Sequence, residues 1–95
     1  YAESFGYGVV REMVGHGIGR KMHEDPEVPN YFTGRRGPRL EPGMALAIEP
    51  MITLGSPDIC LDENQWTVST IDKKPAAHYE NTTILTKNGL EILTL

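Results

Sequence analysis

The 95-residue chain holds a single cysteine, a single tryptophan and no apolar run near the roughly 20 residues that span a bilayer. One thiol, Cys60, excludes an internal disulfide framework and a thiolate metal cluster, and points to a free cysteine in a reducing compartment. No signal peptide is visible, and membrane association is not expected. Basic residues are also few: 9 against 13 acidic ones, for a net charge of −4. Apart from Arg35-Arg36 and Lys73-Lys74 they are scattered, so no stripe could track a phosphate backbone, and nucleic acid is not an expected partner. Internal repeats and low-complexity tracts are missing too. The length allows one domain, or part of one, around a modest core. The first residues, Tyr1-Ala2-Glu3, do not include an initiator methionine, and the expectation is a processed, cleaved or partial chain.

What the chain does have is punctuation and alternation. Residues 1 to 6 fit the end of a helix stopped by Gly6. Between Tyr7 and Met13 the pair Val9-Val10 favours a strand. Residues 24 to 43 carry Pro26, Pro29, Gly34, Gly37, Pro38, Pro42 and Gly43, and read as a long ordered loop of the kind that is often functional. In "MALAIEP" (44 to 50), period two places Met44, Leu46 and Ile48 on one face and Ala45, Ala47 and Glu49 on the other, with Pro50 limiting the ladder. "NQWTVSTI" (64 to 71) reads as a strand with Trp66, Val68 and Thr70 on one face. "DKKP" turns the chain into "AAHYENTTILT" (76 to 86), where His78, Glu80, Thr82 and Ile84 share a face. "KNG" makes a further turn before a closing strand, "LEILTL". The second half therefore reads as an antiparallel meander whose edges and one face need a cover.

The chemistry-bearing residues sit on this frame. In "GHGIGRKMHEDP" (15 to 26), Gly15, Gly17 and Gly19 strip side chains from one side of an extended chain and let another backbone approach. A helix there would lose about 3 kcal/mol relative to alanine. His16 and His23 differ by an odd number and share one site only if the chain bends or bulges between them. Glu49 lies in an apolar strand beside two alanines that leave space above the sheet, and a carboxylate there requires a partner: an arginine, a set of backbone N–H groups, or a metal. Glu80 poses the same question beside Tyr79. Two strand carboxylates with one imidazole form a ligand set suited to Zn²⁺, Mn²⁺, Fe²⁺ or Co²⁺, although no compact ligand motif occurs and "HED" (23 to 25) is not one.

At these residues the chain resembles the type I methionine aminopeptidases. "VVREMVGHGIGRKMHEDPEVPNY" (9 to 31), "LEPGMALAIEPMI" (40 to 52), "WTVSTIDKKPAAHYENTTILT" (66 to 86) and "NGLEILT" (88 to 94) follow the family's order. The resemblance implies an α/β (α+β) "pita-bread" fold, residues 1–95 being its C-terminal, mainly antiparallel part, with two divalent metal ions (Co, Mn, Fe or Zn). It implies His16, Glu49 and Glu80 as metal ligands, Glu49 also as a proton carrier, and His23 as the non-ligand histidine at the scissile amide. It places Met22 and Trp66 in the pocket for the substrate methionine and His78 close to the metals, where glutamine is more common. Asn81 stands where the family commonly has histidine, Met22 where it has an aromatic, and Val14 where a cysteine is sometimes found.

Two aspartate ligands of the family come from a preceding half that these residues do not include. None of Asp25, Asp58, Asp62 and Asp72 matches their motifs. The implied activity is removal of the N-terminal methionine from nascent polypeptides in the cytoplasm. It would require the complementary N-terminal half, in a monomeric complete enzyme with transient ribosome association. Alternatives are a non-catalytic remnant that binds peptide or ribosome, and an aminopeptidase of broader or X-Pro specificity.

Overall fold

The computed structural model describes all 95 residues. A 3₁₀ turn, Ala2–Phe5, is followed by ten short strands: β1 Gly8–Val9, β2 Gly15–Ile18, β3 Glu24–Val28, β4 Ala45–Ile48, β5 Met51–Thr53, β6 Ile59–Leu61, β7 Val68–Thr70, β8 Ala76–His78, β9 Asn81–Thr86 and β10 Gly89–Ile92. The opening turn ends at Gly6 in the left-handed region (φ 85°), where a residue without a Cβ fits best.

The strands form a five-stranded sheet in the order β10-β9-β4-β2-β3, a three-stranded sheet in the order β1-β5-β8, and a separate β6–β7 hairpin. All pairings are antiparallel. This is not the expected meander. β4 lies between β2 and β9, so the first third of the chain is built into the sheet of the last third. β4 runs into β5, and β8 into β9, as one long two-stranded ribbon. The register that pairs Ala45 with Ile84 and Ile48 with Asn81 resumes unshifted to pair Met51 with His78 and Thr53 with Ala76. Only Glu49-Pro50 and Tyr79-Glu80 interrupt it, and there the ribbon passes from one sheet to the other. Pro50 has no N–H for the ladder, but its carbonyl accepts from Tyr79 N–H at 3.2 Å and keeps the two runs in step.

Three further expectations are corrected. The segment from 24 to 43 is not all loop, because Glu24–Val28 is a strand. Pro26 is tolerated there because β3 bulges: His16 pairs with Glu27 but Gly17 with Glu24, leaving Asp25 and Pro26 outside the ladder. The strand expected over 64–71 is shortened to Val68–Thr70. The Asn64 side chain accepts from Trp66 N–H at 3.0 Å and Thr67 N–H at 2.8 Å, so these residues turn instead. The run from 76 to 86 is two strands in two sheets.

The core is small. Leu46 and Thr83 pair across β4 and β9 and are nearly inaccessible, and the Thr83 hydroxyl is satisfied by Leu46 O at 3.0 Å. Val9, Val10, Met51 and Thr53 are the buried side chains of the second sheet. A free-standing monomer of this mass would expose about 5,500 Å². This chain exposes 7390 Å², with Phe5, Phe32, Trp66 and Tyr79 open to solvent.

Candidate metal centre

The break in the ribbon decides what stands above it. Because the register resumes unchanged, Glu49 falls opposite Glu80. Ala47 pairs with His16 on one side and with Thr82 on the other, so these side chains lie on one face, the face that alternation also gives to Glu49 and Glu80. Ala47 contributes only a methyl group, which leaves the space into which the longer side chains converge. One ligand atom from each of His16, Glu49 and Glu80 lies within 4.8 Å of the others, a group that could hold a metal ion.

Their protonation argues the same way. His16 Nδ1 lies 2.8 Å from Gly17 O, and a carbonyl can only accept, so Nδ1 carries a proton. Nε2 then faces Glu49 Oε1 at 3.3 Å, both groups being well buried (14% and 12% exposed). An imidazole lone pair and a carboxylate oxygen this close need a cation between them, either a proton or a metal ion. A neutral histidine fixed at Nδ1 by a backbone carbonyl is the usual arrangement of a metal-binding Nε2. The residues therefore fit a divalent ion of borderline character.

Backbone packing fixes this geometry. A Cβ at Gly15 would overlap the Ala47 carbonyl oxygen, and one at Gly17 would overlap the Asp25 carbonyl oxygen. The alternating glycines thus bring β2 close to both neighbours. Asn30 adds a tie from the long loop, donating to Glu49 O at 3.3 Å.

The reversal between β2 and β3 brings His23 back beside His16, with ring centroids 4.2 Å apart and planes tilted by 47°. Both histidines line a cleft of about 750 Å³ with Glu12, Glu24, Asp25, Glu27 and Glu49 against one lysine, Lys21, so its lining is predominantly acidic. Met22 and Trp66 are not part of this convergence. They are 74% and 86% exposed and line neither this cleft nor the apolar cavity of about 230 Å³ formed by Val10, Met13, Met51, Val68 and Ala77 with His78.

His78 is the residue that reading the ligand set alone underweights. Its Nε2 is 3.4 Å from Glu49 Oε2 and 3.9 Å from Glu80 Oε2. The signal was present in the sequence, since period two places His78 on the face of Glu80.

Comparison with known proteins agrees with this frame. The profile of metallopeptidase family M24 matches residues 1–87. A methionine aminopeptidase of Clostridium acetobutylicum is 62% identical over 95 residues, which are 100% of this chain and 38% of that protein. Methionine aminopeptidase 1 of Bacillus subtilis is 50% identical over 94 residues, 99% of this chain and 38% of that protein. Among solved structures, methionine aminopeptidase from Thermotoga maritima superposes with a TM-score of 0.92 at 49% identity, over 98% of this chain and 37% of that one. The Rickettsia prowazekii enzyme gives 0.92 at 46% identity, over 100% and 39%. The chain thus spans well under half the length of these relatives. Across that span the pita-bread arrangement holds, as its mainly antiparallel part with helix limited to one 3₁₀ turn.

Proposed function

The chain belongs to metallopeptidase family M24, and from that premise we propose that it is the C-terminal, metal-holding part of a methionine aminopeptidase. In this reading the complete protein removes the N-terminal methionine from nascent proteins and peptides. The observation that carries it is the convergence of His16, Glu49 and Glu80 at the break of the ribbon, with His16 Nε2 turned to Glu49. These three residues would hold the metal, and two aspartates from outside this segment would complete a site for two divalent ions. Such ions supply Lewis acidity, acidifying water and polarising a carbonyl.

The chain's own residues divide the remaining work. Glu49, next to the reacting groups, accepts and passes on a proton. His23 donates a hydrogen bond to the oxygen that gains charge as the amide is attacked, and its place against His16 supports that role. The acidic cleft favours the cationic amine of a peptide's first residue. Met22 and Trp66 contact the methionine side chain in the complete enzyme, a thioether that suits an apolar seat. Nascent chains are made in the cytoplasm, and the protein acts there, in transient association with the ribosome.

The test is release of methionine from a Met-Ala-Ser peptide by the whole polypeptide carrying this chain, with and without added Co²⁺ or Mn²⁺. Peptides varying the first two residues are run beside it. Metal-dependent release restricted to an initial Met is the expected result. A polypeptide silent with every metal would leave the reading of a non-catalytic peptide-binding remnant, and cleavage of X-Pro peptides would indicate the broader specificity.

A further inference from the structure

We propose that His78 is itself a metal ligand, so that this segment offers four donors, two imidazoles and two carboxylates, rather than three. The inference rests on the reading of His16, Glu49 and Glu80 as metal ligands. It goes beyond that reading because it adds a donor outside the triad.

Three observations carry it. First, Glu49 presents a different oxygen to each imidazole: Oε1 to His16 Nε2 at 3.3 Å and Oε2 to His78 Nε2 at 3.4 Å. The carboxylate is thus flanked by two ring nitrogens in near-equivalent positions.

Second, the spacings fit shared coordination better than hydrogen bonding. A charge-assisted N–H···O bond to a carboxylate closes to about 2.7–2.9 Å. Donor atoms each about 2.0–2.1 Å from one tetrahedral ion stand about 3.3 Å apart. His78 Nε2 is 3.4 Å from Glu49 Oε2, on the longer scale, and 3.9 Å from Glu80 Oε2, somewhat beyond it.

Third, the position is both directed and open. His78 ends β8, paired with Met51, and its alternation with Glu80 turns its ring to the ligand face. Its side chain is 45% exposed and Glu80's is 46%, so an ion reaches them from solvent, whereas His16 and Glu49 are 14% and 12% exposed. Two imidazoles with two carboxylates favour borderline ions such as Zn²⁺ or Co²⁺ over Mg²⁺ or Ca²⁺.

The decisive measurement is one-bond ¹¹³Cd–¹⁵N coupling in the whole polypeptide, labelled with ¹⁵N-histidine and loaded with ¹¹³Cd²⁺. The ring resonances are assigned with His16→Ala and His78→Gln. The expected result is coupling to Nε2 of His16 and of His78 and none to His23, with His78→Gln removing one coupling and keeping the other. His78→Gln should also weaken Zn²⁺ binding by about tenfold or more, since glutamine can donate a hydrogen bond to Glu49 but ligates such ions poorly. Coupling to His16 alone, or unchanged Zn²⁺ affinity in His78→Gln, would overturn the proposal and leave the triad standing. Coupling to neither residue would overturn both. Methionine release by the same sample is scored separately, so failure of the peptidase reading is not confused with failure of the ligand.

Discussion

The seam between the two sheets and the β6–β7 hairpin are made of the same antiparallel pairing, yet they treat their side chains in opposite ways. At the seam, His16 and Glu49 are 14% and 12% exposed and held within 3.3 Å of each other. On the hairpin and its turn, Leu61 is 54%, Val68 43% and Trp66 86% exposed. Donors for a small ion can be set entirely by register within one segment, because the ladder that pairs Ile48 with Asn81 and Met51 with His78 leaves little freedom to Glu49 and Glu80. Contacts for a side chain as large as methionine need walls on several sides, and the hairpin presents Trp66 with none. Three donors that could hold a metal ion therefore converge within this segment, whereas the apolar residues of the hairpin stay open to solvent.

The largest effect that would break this contrast is at Glu49. Glu49→Gln should lower affinity for Co²⁺ or Zn²⁺ by at least about 100-fold, the upper end of what even indirect partners of a metal ligand cost, and abolish turnover. Trp66→Ala should leave metal affinity unchanged. Calorimetric titration of both variants checks the pair, and equal metal binding in the two would erase the distinction.

Next is His23, which shares the cleft without belonging to the triad. His23→Ala should keep its metal while the rate falls by about 10²- to 10³-fold, as for loss of one donor to a developing oxyanion. Steady-state kinetics beside metal analysis separates that outcome from metal loss, and an unchanged rate would remove His23 from the reaction.

A smaller effect concerns the frame. Gly17→Ala places a methyl group against the Asp25 carbonyl and should cost about 1–3 kcal/mol, as overpacking does. Gly37→Ala, with nothing nearby for its Cβ to meet, should change stability by less than about 0.5 kcal/mol. Thermal unfolding of the two variants gives the comparison directly.

The smallest effect lies on the hairpin side. The Asp72 carboxyl accepts from Ser56 N–H at 2.8 Å and Lys74 N–H at 3.1 Å, and these bonds, with the nearby Lys74 charge, hold its pKa below the usual 3.8. A carboxyl with a depressed folded pKa contributes its stabilisation above the unfolded value and loses it as pH falls through the folded one. The Ser56 amide resonance should therefore be constant from neutral pH down to about 4 and move only below it. A midpoint above about 4 would contradict the assignment.

Much of this arrangement is legible in the residues. Alternation in "MALAIEP" and "AAHYENTTILT" gives the faces on which Glu49 and Glu80 converge, and the odd spacing of His16 and His23 requires a bend between them, which the reversal from β2 to β3 supplies. What the alternation could not reveal was the break. A carboxylate followed by proline looks like a strand end, and only the partner strand shows that the register continues beyond it. Strand β3 was hidden because Pro26 reads as loop unless the bulge that accommodates it is known. Trp66 and Val68 favour a strand over 64–71, whereas the Asn64 side chain captures two amides that pairing would have used. The exposure of Trp66 and Met22 could not be read from residue type, since the same apolar residues would be buried under a cover.

The most direct test of the central claim is anomalous scattering from crystals of the whole polypeptide, recorded at the absorption edge of added Zn²⁺ or Mn²⁺. The account predicts a peak within bonding distance of His16 Nε2 and of carboxylate oxygens from both Glu49 and Glu80. Peaks only elsewhere, or none at the seam while those side chains remain in contact, would contradict it.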